Sequence, residues 1–83
     1  TVTREVSDQI YPNPASGKVF FSNELSNAES LSISDLNGKE MMKVDRDFLE
    51  TADGLNIESL NSGVYFVSIR YATESAIQKL IVQ

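Results

Sequence analysis

The chain has 83 residues, a formal net charge of -5, and neither histidine nor cysteine. Hydrophobic residues make up 41% of it, which is ordinary for a globular chain and predicts one folded domain with a modest core. Because an acidic surface repels phosphate backbones, we expect no nucleic-acid partner. The lack of histidine and cysteine removes the commonest nucleophile–base pairs and metal ligands, so we expect no enzyme, no metal site and no cofactor.

The first conformational signal is a pair of prolines in the stretch IYPNPASGKVFF, which begins at Ile10. We interpret residues 1–9, before it, as a linker or an added edge strand, and residues 10–83 as the main domain. Pro12 and Pro14 each fix φ at about -65° and lack an N–H group, and each pushes its predecessor toward extended geometry. The sequence therefore predicts a stiff elbow that cannot be part of a central strand ladder. Residues 15–17 are expected to turn the chain into a strand that begins at Lys18.

A β-hairpin is predicted in the middle of the chain, where LSISDLNGKEMMKV contains Asn37 followed by Gly38. This pair is preferred in two-residue type I′ turns, because both positions need a positive φ. If Leu36 pairs with Lys39, the apolar residues of both strands share one face. The expected pairs are Leu31 with Val44 and Ile33 with Met42 on that face, and Ser32 with Lys43 and Ser34 with Met41 on the other.

The acidic segment RDFLETADG, which begins at Arg46, is predicted as a loop with a short strand. Asp45, Asp47 and Asp53 faintly resemble a calcium-binding loop. The segment lacks the third ligand and the glycine at the spacing that an EF-hand requires. We therefore favour a solvated acidic loop over a bound cation.

The last predicted element is a hairpin in SGVYFVSIRYATESAIQKLIVQ, with its turn around Thr73 and Glu74. Gly63, just before it, is expected to have a positive φ. Alternation in Val64–Tyr71 predicts a half-buried strand. We choose the register that buries Gln78 and exposes Lys79, because burying an ammonium group costs more than burying an amide. The expected pairs are Tyr65 with Val82, Val67 with Leu80 and Ile69 with Gln78.

In this register Phe66 and Ile81 share the opposite face, so the end of the hairpin is apolar on both sides, which indicates a covering partner. The short strands between turn residues predict an all-β sandwich or barrel. Tyr65, Phe66 and Tyr71 have two interpretations. One is packing across strands; the other is a sugar-stacking platform in a carbohydrate-binding or adhesive β-sandwich appended to a secreted enzyme. A structural spacer is a further alternative.

Four pieces in order resemble the C-terminal sorting domain of type IX secretion cargo: YPNP, ISDLNGKEM, LNSGVYFVSI and QKLIVQ. The resemblance covers residues 10–83. It implies an immunoglobulin-like antiparallel β-sandwich of about seven strands. The family's recognition and folding motifs map onto Pro12, Asn13, Pro14, Gly38, Gly63, Val64, Tyr65, Lys79, Leu80, Ile81 and Val82.

The resemblance also implies a function as an address at the end of an exported protein. The type IX translocon recognises such a domain, chiefly through its final segment, after transit of the periplasm. A sortase-like protease then removes the domain and can join the N-terminal cargo to anionic lipopolysaccharide at the outer-membrane surface, or the cargo is released. Recognition is expected through main-chain hydrogen bonds to an exposed edge strand, with pockets for Leu80 and Val82 or for Ile81. An exposed edge also predicts a homodimer through the terminal strands.

Gly63→Val should destabilise the fold by about 1 kcal/mol or more, because a β-branched residue cannot adopt the positive φ expected at this position. Thermal unfolding measures the effect. An unchanged melting temperature would contradict the prediction.

Overall fold

The computed structural model describes residues 2–6, 9–22, 25, 27–51 and 54–83. Within these ranges the chain forms eight strands and one helix. The strands are β1 (Val2–Val6), β2 (Ile10–Ser16), β3 (Lys18–Phe21), β4 (Ser30–Ser34), β5 (Glu40–Asp45), β6 (Gly54–Asn56), β7 (Gly63–Arg70) and β8 (Glu74–Val82), and the helix is α1 (Arg46–Thr51).

Two sheets form a sandwich. The larger sheet has the order β5-β4-β7-β8, with β1 paired to β8, and the smaller sheet has the order β2-β3-β6. The predicted all-β sandwich is confirmed, with eight strands where about seven were expected. One difference is that β1 and β2 run parallel to β8, whereas the other pairings are antiparallel. The large sheet is therefore mixed.

Strand β2 belongs to both sheets. Ile10 and Tyr11 pair with β3, Ala15 pairs with Val82 of β8, and Ser16 pairs again with β3, opposite Lys18. The ladder register skips Pro12–Pro14 between the pairings of Tyr11 and Ala15, and both X–Pro bonds are cis. The strand thus crosses from one sheet to the other at the proline pair, as strands do at the corners of sandwiches. The expectation that the strand ends at the prolines and that residues 15–17 form the turn is wrong: β2 continues through the prolines to Ser16, and Gly17 alone, with a φ of 82°, separates it from β3.

The core lies between the sheets and is apolar. Alternate residues of the central strands face it, as the strand period of two requires. The fully buried large apolar side chains are Ile10, Val19, Leu25, Leu31, Ile33, Ile57, Val67, Ile69 and Leu80. Residues that sequence alternation assigned to the inner face, such as Leu31 and Ile33, are therefore inside.

The central hairpin has the predicted register over most of its length, with Leu31 opposite Val44 and Ile33 opposite Met42. Its turn type is different. No described residue other than glycine has a positive φ, so Asn37 cannot occupy a type I′ turn, and Gly38 alone has the left-handed value of 86°. Backbone hydrogen bonds from Asp35 N to Lys39 O (2.9 Å) and from Gly38 N to Asp35 O (3.0 Å) close a three-residue loop.

The Asp35 carboxylate explains this choice of loop. Its Oδ1 accepts hydrogen bonds from the backbone N–H groups of Asn37 and Lys39, both at 2.9 Å. An aspartate at this position stabilises such turns by this kind of bond. The extra loop residue shifts the ladder, so that Ser34 pairs with Glu40 and the predicted pairing of Ser34 with Met41 is wrong.

The segment predicted as a loop is helix α1. Asp45 precedes it, and its Oδ1 accepts a hydrogen bond from Phe48 N at 3.1 Å, which is an N-cap interaction. Leu49 is buried on its inner side. Six residues are too few to show helical periodicity in the sequence, which is why the prediction failed.

Among the residues that the structure describes, no helix has the length and apolar character that a membrane span requires. Asp53 lies outside the described residues.

The terminal hairpin pairs two positions away from the predicted register. Val67 lies opposite Gln78 and Tyr65 opposite Leu80, because the two loop residues are Ala72 and Thr73. Tyr71 N donates to Glu74 O at 2.8 Å and closes this loop. A shift of two keeps every side chain on its face, so Gln78 is buried and Lys79 exposed as predicted. Gly63 has a φ of 156°, which agrees with the expected positive value.

Candidate functional site: the terminal strand and its partners

The terminal strand β8 has hydrogen-bond partners along both of its edges. On one edge it pairs with β7 from Gly63 opposite Val82 to Arg70 opposite Ser75. The even-numbered residues of β8 direct their backbone polar groups to β7, as the bond between Glu74 O and Tyr71 N shows. The odd-numbered residues therefore direct theirs to the opposite edge, because these groups alternate along a strand.

Three different pieces of the chain cover that opposite edge. Strand β1 pairs in parallel with β8 from Glu74 to Gln78. Beyond it, the side chain of Asn13 bonds to β8, and then Ala15 lies opposite Val82. The last backbone N–H, that of Gln83, donates to Ala15 O at 2.8 Å. The strand is thus an interior strand of the sheet along its whole length.

Asn13 takes the place of a backbone residue in this arrangement. Its Nδ2 donates to Lys79 O at 2.8 Å, and its Oδ1 accepts from Ile81 N at 2.9 Å. In a parallel ladder one residue bonds to two residues of its neighbour, one on each side of the residue opposite it. The Asn13 carboxamide makes these two bonds across from Leu80. Because the flanking prolines have no N–H, the side chain supplies the donor that the local backbone lacks.

Gln78 makes a second amide bridge, on the inner side of β8. Its side chain is 1% exposed. Its Oε1 accepts from Gln9 N (3.0 Å) and Ile10 N (3.1 Å), and its Nε2 donates to Ile10 O at 2.8 Å. The amide therefore satisfies three buried backbone groups at the start of β2. This bridge ties the terminal strand to the smaller sheet.

The outer face of the terminal hairpin carries a patch of apolar side chains around one lysine. We define the outer patch as Val64, Phe66, Ile77 and Ile81, with Lys79 between them. Val64 lies directly opposite Ile81, and Phe66 directly opposite Lys79. Ile81 is 38% exposed, and the other three apolar residues are half-buried. Apolar side chains grouped on an outer face are typical of an interaction surface.

Residues 9–83 match the family model of the secretion system C-terminal sorting domain. The chain belongs to the type IX secretion C-terminal sorting domain family. Its fold is similar to the sulfur carrier protein SoxY from Chlorobium limicola f thiosulfatophilum, with a TM-score of 0.55, 15% identity, and coverage of 99% of this chain and 84% of that one.

A second similar structure contains the CBM51-2 domain in complex with GlcNAc and the INT domains of Clostridium perfringens ZmpB. It has a TM-score of 0.50 and 17% identity, and the match covers 95% of this chain and 19% of that one. Identities this low support the fold alone. No curated protein matches the chain.

Three of the four motif pieces of this sorting domain meet at the terminal strand. Asn13, from the first piece, binds the backbone of Lys79 and Ile81 from the last. The third piece lies beside the last on the other edge, with Gly63 opposite Val82, Val64 opposite Ile81 and Tyr65 opposite Leu80. The remaining piece, with Gly38, lies in the β4–β5 turn.

The motif residues differ in what they present to solvent. Leu80 and Val82 are buried in the core of the sorting domain, at 0% and 4% exposure. Tyr65 is also buried, and its hydroxyl donates to Asn61 O at 2.7 Å. Lys79 and Ile81 face outward, as do Pro12 and Pro14 on the neighbouring strand. Only the outward residues can contact a partner while the domain is folded.

The expectation of an exposed terminal edge strand is wrong. The backbone of β8 is bonded to β7 on one side and to β1, Asn13 and Ala15 on the other. Leu80 and Val82 are likewise not available to receptor pockets, because both point into the core. The sequence did not show this arrangement because three separate pieces of the chain cover this edge of β8. They are the parallel strand β1, the side-chain amide of Asn13, and Ala15 of β2.

The aromatic platform expected for a carbohydrate-binding module is not formed. Tyr65 is 6% exposed and faces the core, whereas Phe66, its neighbour in β7, faces the outer side. Tyr71 packs against the core. The three rings therefore share no exposed face, and cross-strand packing is the interpretation that the structure supports.

The outer face also has a polar pocket with a volume of 390 Å³. Its lining residues include Ser30, Ser32, Ser68, Lys43 and Arg70. The chain has no histidine to activate a serine. Among the described residues, no three acidic side chains are grouped closely enough to hold a metal ion.

Replacing Gln78 by leucine, which has a similar volume, should destabilise the sorting domain by roughly 3 kcal/mol or more, because three buried backbone groups lose their partner. Lys79→Gln, at the exposed neighbouring position, is the matched control and should change stability by less than about 0.5 kcal/mol. Chemical denaturation of both variants measures the effect. Equal stability of Gln78→Leu and the parent would contradict the bridging role of the amide.

Proposed function

We propose that this sorting domain is recognised by the type IX secretion machinery through the outer patch and acts as an address, not as an enzyme. The observation that carries the proposal is the position of Ile81. It belongs to the terminal motif, is 38% exposed, and lies beside Val64 of another motif. Membership of the sorting-domain family supports a partner in that machinery and a cargo N-terminal to the domain.

Recognition of the folded domain occurs through side chains. Lys79 O and Ile81 N are bonded to the Asn13 amide, and Leu80 and Val82 pair with β7. A receptor that added a strand to this end of β8 would first have to break these bonds. A receptor that contacts the outer patch has no such cost, since the patch side chains are already outside.

The outer patch defines the chemistry of its partner. Four apolar side chains favour an apolar surface, because burying each of them removes apolar area from water. Lys79 lies among them in a chain with a net charge of -5. An acidic group on the partner, surrounded by apolar residues, would pair with this ammonium group and fix the orientation of docking.

The later steps of export are part of the same proposal. The domain passes through the periplasm, reaches the outer-membrane surface or the extracellular space, and is removed there by a sortase-like protease that can join the cargo to anionic lipopolysaccharide. We expect the cut in the linker before the sandwich. Family membership supports these steps.

A homodimer through the terminal strands would require that β1 first separates from β8, because β1 now pairs with it.

Removing Lys79–Gln83 from a reporter fusion should stop surface display and cause cargo to accumulate in the periplasm. This deletion removes the buried Leu80 and Val82 together with the outward Ile81, so it alters the core as well as the outer patch. A point variant that leaves the core intact is therefore needed to separate recognition from folding.

Ile81→Ser provides this separation. It should lower recognition about tenfold, because a buried isoleucine contributes about 1.5 kcal/mol or more to binding. The matched control is Leu36→Ser, which changes an apolar residue of 66% exposure on the β4–β5 turn. Surface display of the fused reporter, with melting temperatures to verify folding, measures the effect. Normal display of a folded Ile81→Ser, Phe66→Ser double variant would refute recognition through the outer patch.

A further inference from the structure

The floor of the polar pocket consists of serine side chains. In β4 (Ser30–Ser34) every second residue is a serine, and strand alternation turns these serines to the outer face of the large sheet. Ser32 lies directly opposite Ser68 of β7, which is exposed on the same face. Within the described part of the chain, the hydroxyl groups of Ser30, Ser32 and Ser68 have no hydrogen-bond partner. They are therefore free to donate hydrogen bonds to a ligand.

Two cationic side chains flank this floor. Lys43 of β5 lies opposite Ser32, and Arg70 of β7 lies opposite Ser30, so the two cations are on either side of β4. The spacing of strands and residues in a sheet puts their Cα atoms roughly 12 Å apart on a diagonal across the pocket. Both side chains line it, and neither forms an ion pair with a described residue. A small group that lies on the serines is therefore within reach of both.

The acidic residues near the pocket do not neutralise its middle. Asp45 lies opposite Ser30, but its carboxylate accepts the hydrogen bond from Phe48 N at the start of α1. Glu40 and Glu74 are the first residues of β5 and β8, and both lie at the margins of the pocket. The middle of the pocket therefore carries two positive charges and three hydroxyl groups.

We propose that the polar pocket is a binding site for a phosphate group, either as inorganic phosphate or at the end of a small phosphate monoester. A phosphate monoester has a charge of about -1.5 to -2 and three strong acceptor oxygens, which match two cations and three hydroxyl donors. A guanidinium group binds such oxygens through two parallel hydrogen bonds, and an ammonium group adds a further charge. A carboxylate has one charge and two oxygens, so it would leave part of this donor set unused.

The pocket has room for such a ligand. Its volume of 390 Å³ lies near the lower end of the range of small-molecule sites, which is roughly 300–1,000 Å³. The pocket adjoins the outer patch where Ser68 lies opposite Ile77, but the two share no residue. Phosphate binding is therefore a property separate from recognition through the outer patch.

The test titrates the 83-residue chain with inorganic phosphate, glycerol 3-phosphate and acetate at constant ionic strength, so that screening stays the same. NMR shifts of backbone amides locate the site. We expect both phosphates to shift the amides of Ser32, Ser68 and Arg70 with saturation, and acetate to bind at least tenfold more weakly. Tighter binding of glycerol 3-phosphate identifies a monoester as the ligand, and tighter binding of inorganic phosphate identifies the free ion.

Three variants connect these shifts to the pocket. Arg70→Gln should weaken phosphate binding about tenfold or more, because hydrogen bonds between charged groups are lost. Ser32→Val keeps the charge and suits a strand, but it fills the floor and removes a donor, so it should also weaken binding. The matched control is Lys39→Gln, which removes one positive charge from the exposed β4–β5 turn, outside the pocket. It should leave the affinity within about twofold.

Four results would overturn the proposal. They are the absence of saturable shifts at the pocket, equal affinity for acetate and phosphate, unchanged affinity in folded Arg70→Gln and Ser32→Val, and an equal loss in Lys39→Gln. Melting temperatures verify that each variant is folded. These measurements use purified protein and soluble anions, so their failure is separate from a failure of the export assay.

Discussion

Two side-chain amides hold the terminal strand in place. Asn13 bonds to the backbone of Lys79 and Ile81 at one edge of β8, and Gln78 bonds to the backbone of Gln9 and Ile10 on its inner side. Both connect β8 to β2, the strand that crosses from one sheet to the other. Without Asn13, Lys79 O and Ile81 N would lose their partner beside the proline pair, which supplies no N–H groups of its own, and without Gln78 the buried backbone groups of Gln9 and Ile10 would lose theirs.

Because of this arrangement, the residues that pack into the core and the residues of the outer patch alternate along the same strand. The alternation of β8 puts Leu80 and Val82 in the core and Lys79 and Ile81 outside. The outward residues are therefore presented at fixed positions only when the inward ones are packed. Family motifs that are far apart in the sequence meet at this strand for the same reason. A partner that reads the outer patch thus reads a folded domain, and the terminal segment alone would not present it.

Much of the fold was predictable because strand alternation determines which face a side chain occupies. The alternation placed Leu31 and Ile33 inside, and the cost of burying an ammonium group placed Gln78 inside and Lys79 outside. Loop length changed the pairing of the terminal hairpin by two positions without changing the faces. The bridge made by Asn13 and the parallel pairing of β1 with β8 were not predicted, because neither leaves a periodic signal. A signal for Asn13 did exist: a polar residue between two prolines can replace their missing donors.

The most direct test of the account is amide hydrogen exchange at Ile81 in the parent and in Asn13→Ala. If the Asn13 side chain takes the place of a backbone residue, the Ile81 amide is protected in the parent to about the degree of Gln83, which is bonded to Ala15 O. In Asn13→Ala it should exchange about fivefold faster, for the loss of roughly 1 kcal/mol, while the Leu80 amide, which faces β7, changes little. Exchange of Ile81 in the parent at the rate of an unstructured peptide would contradict the account.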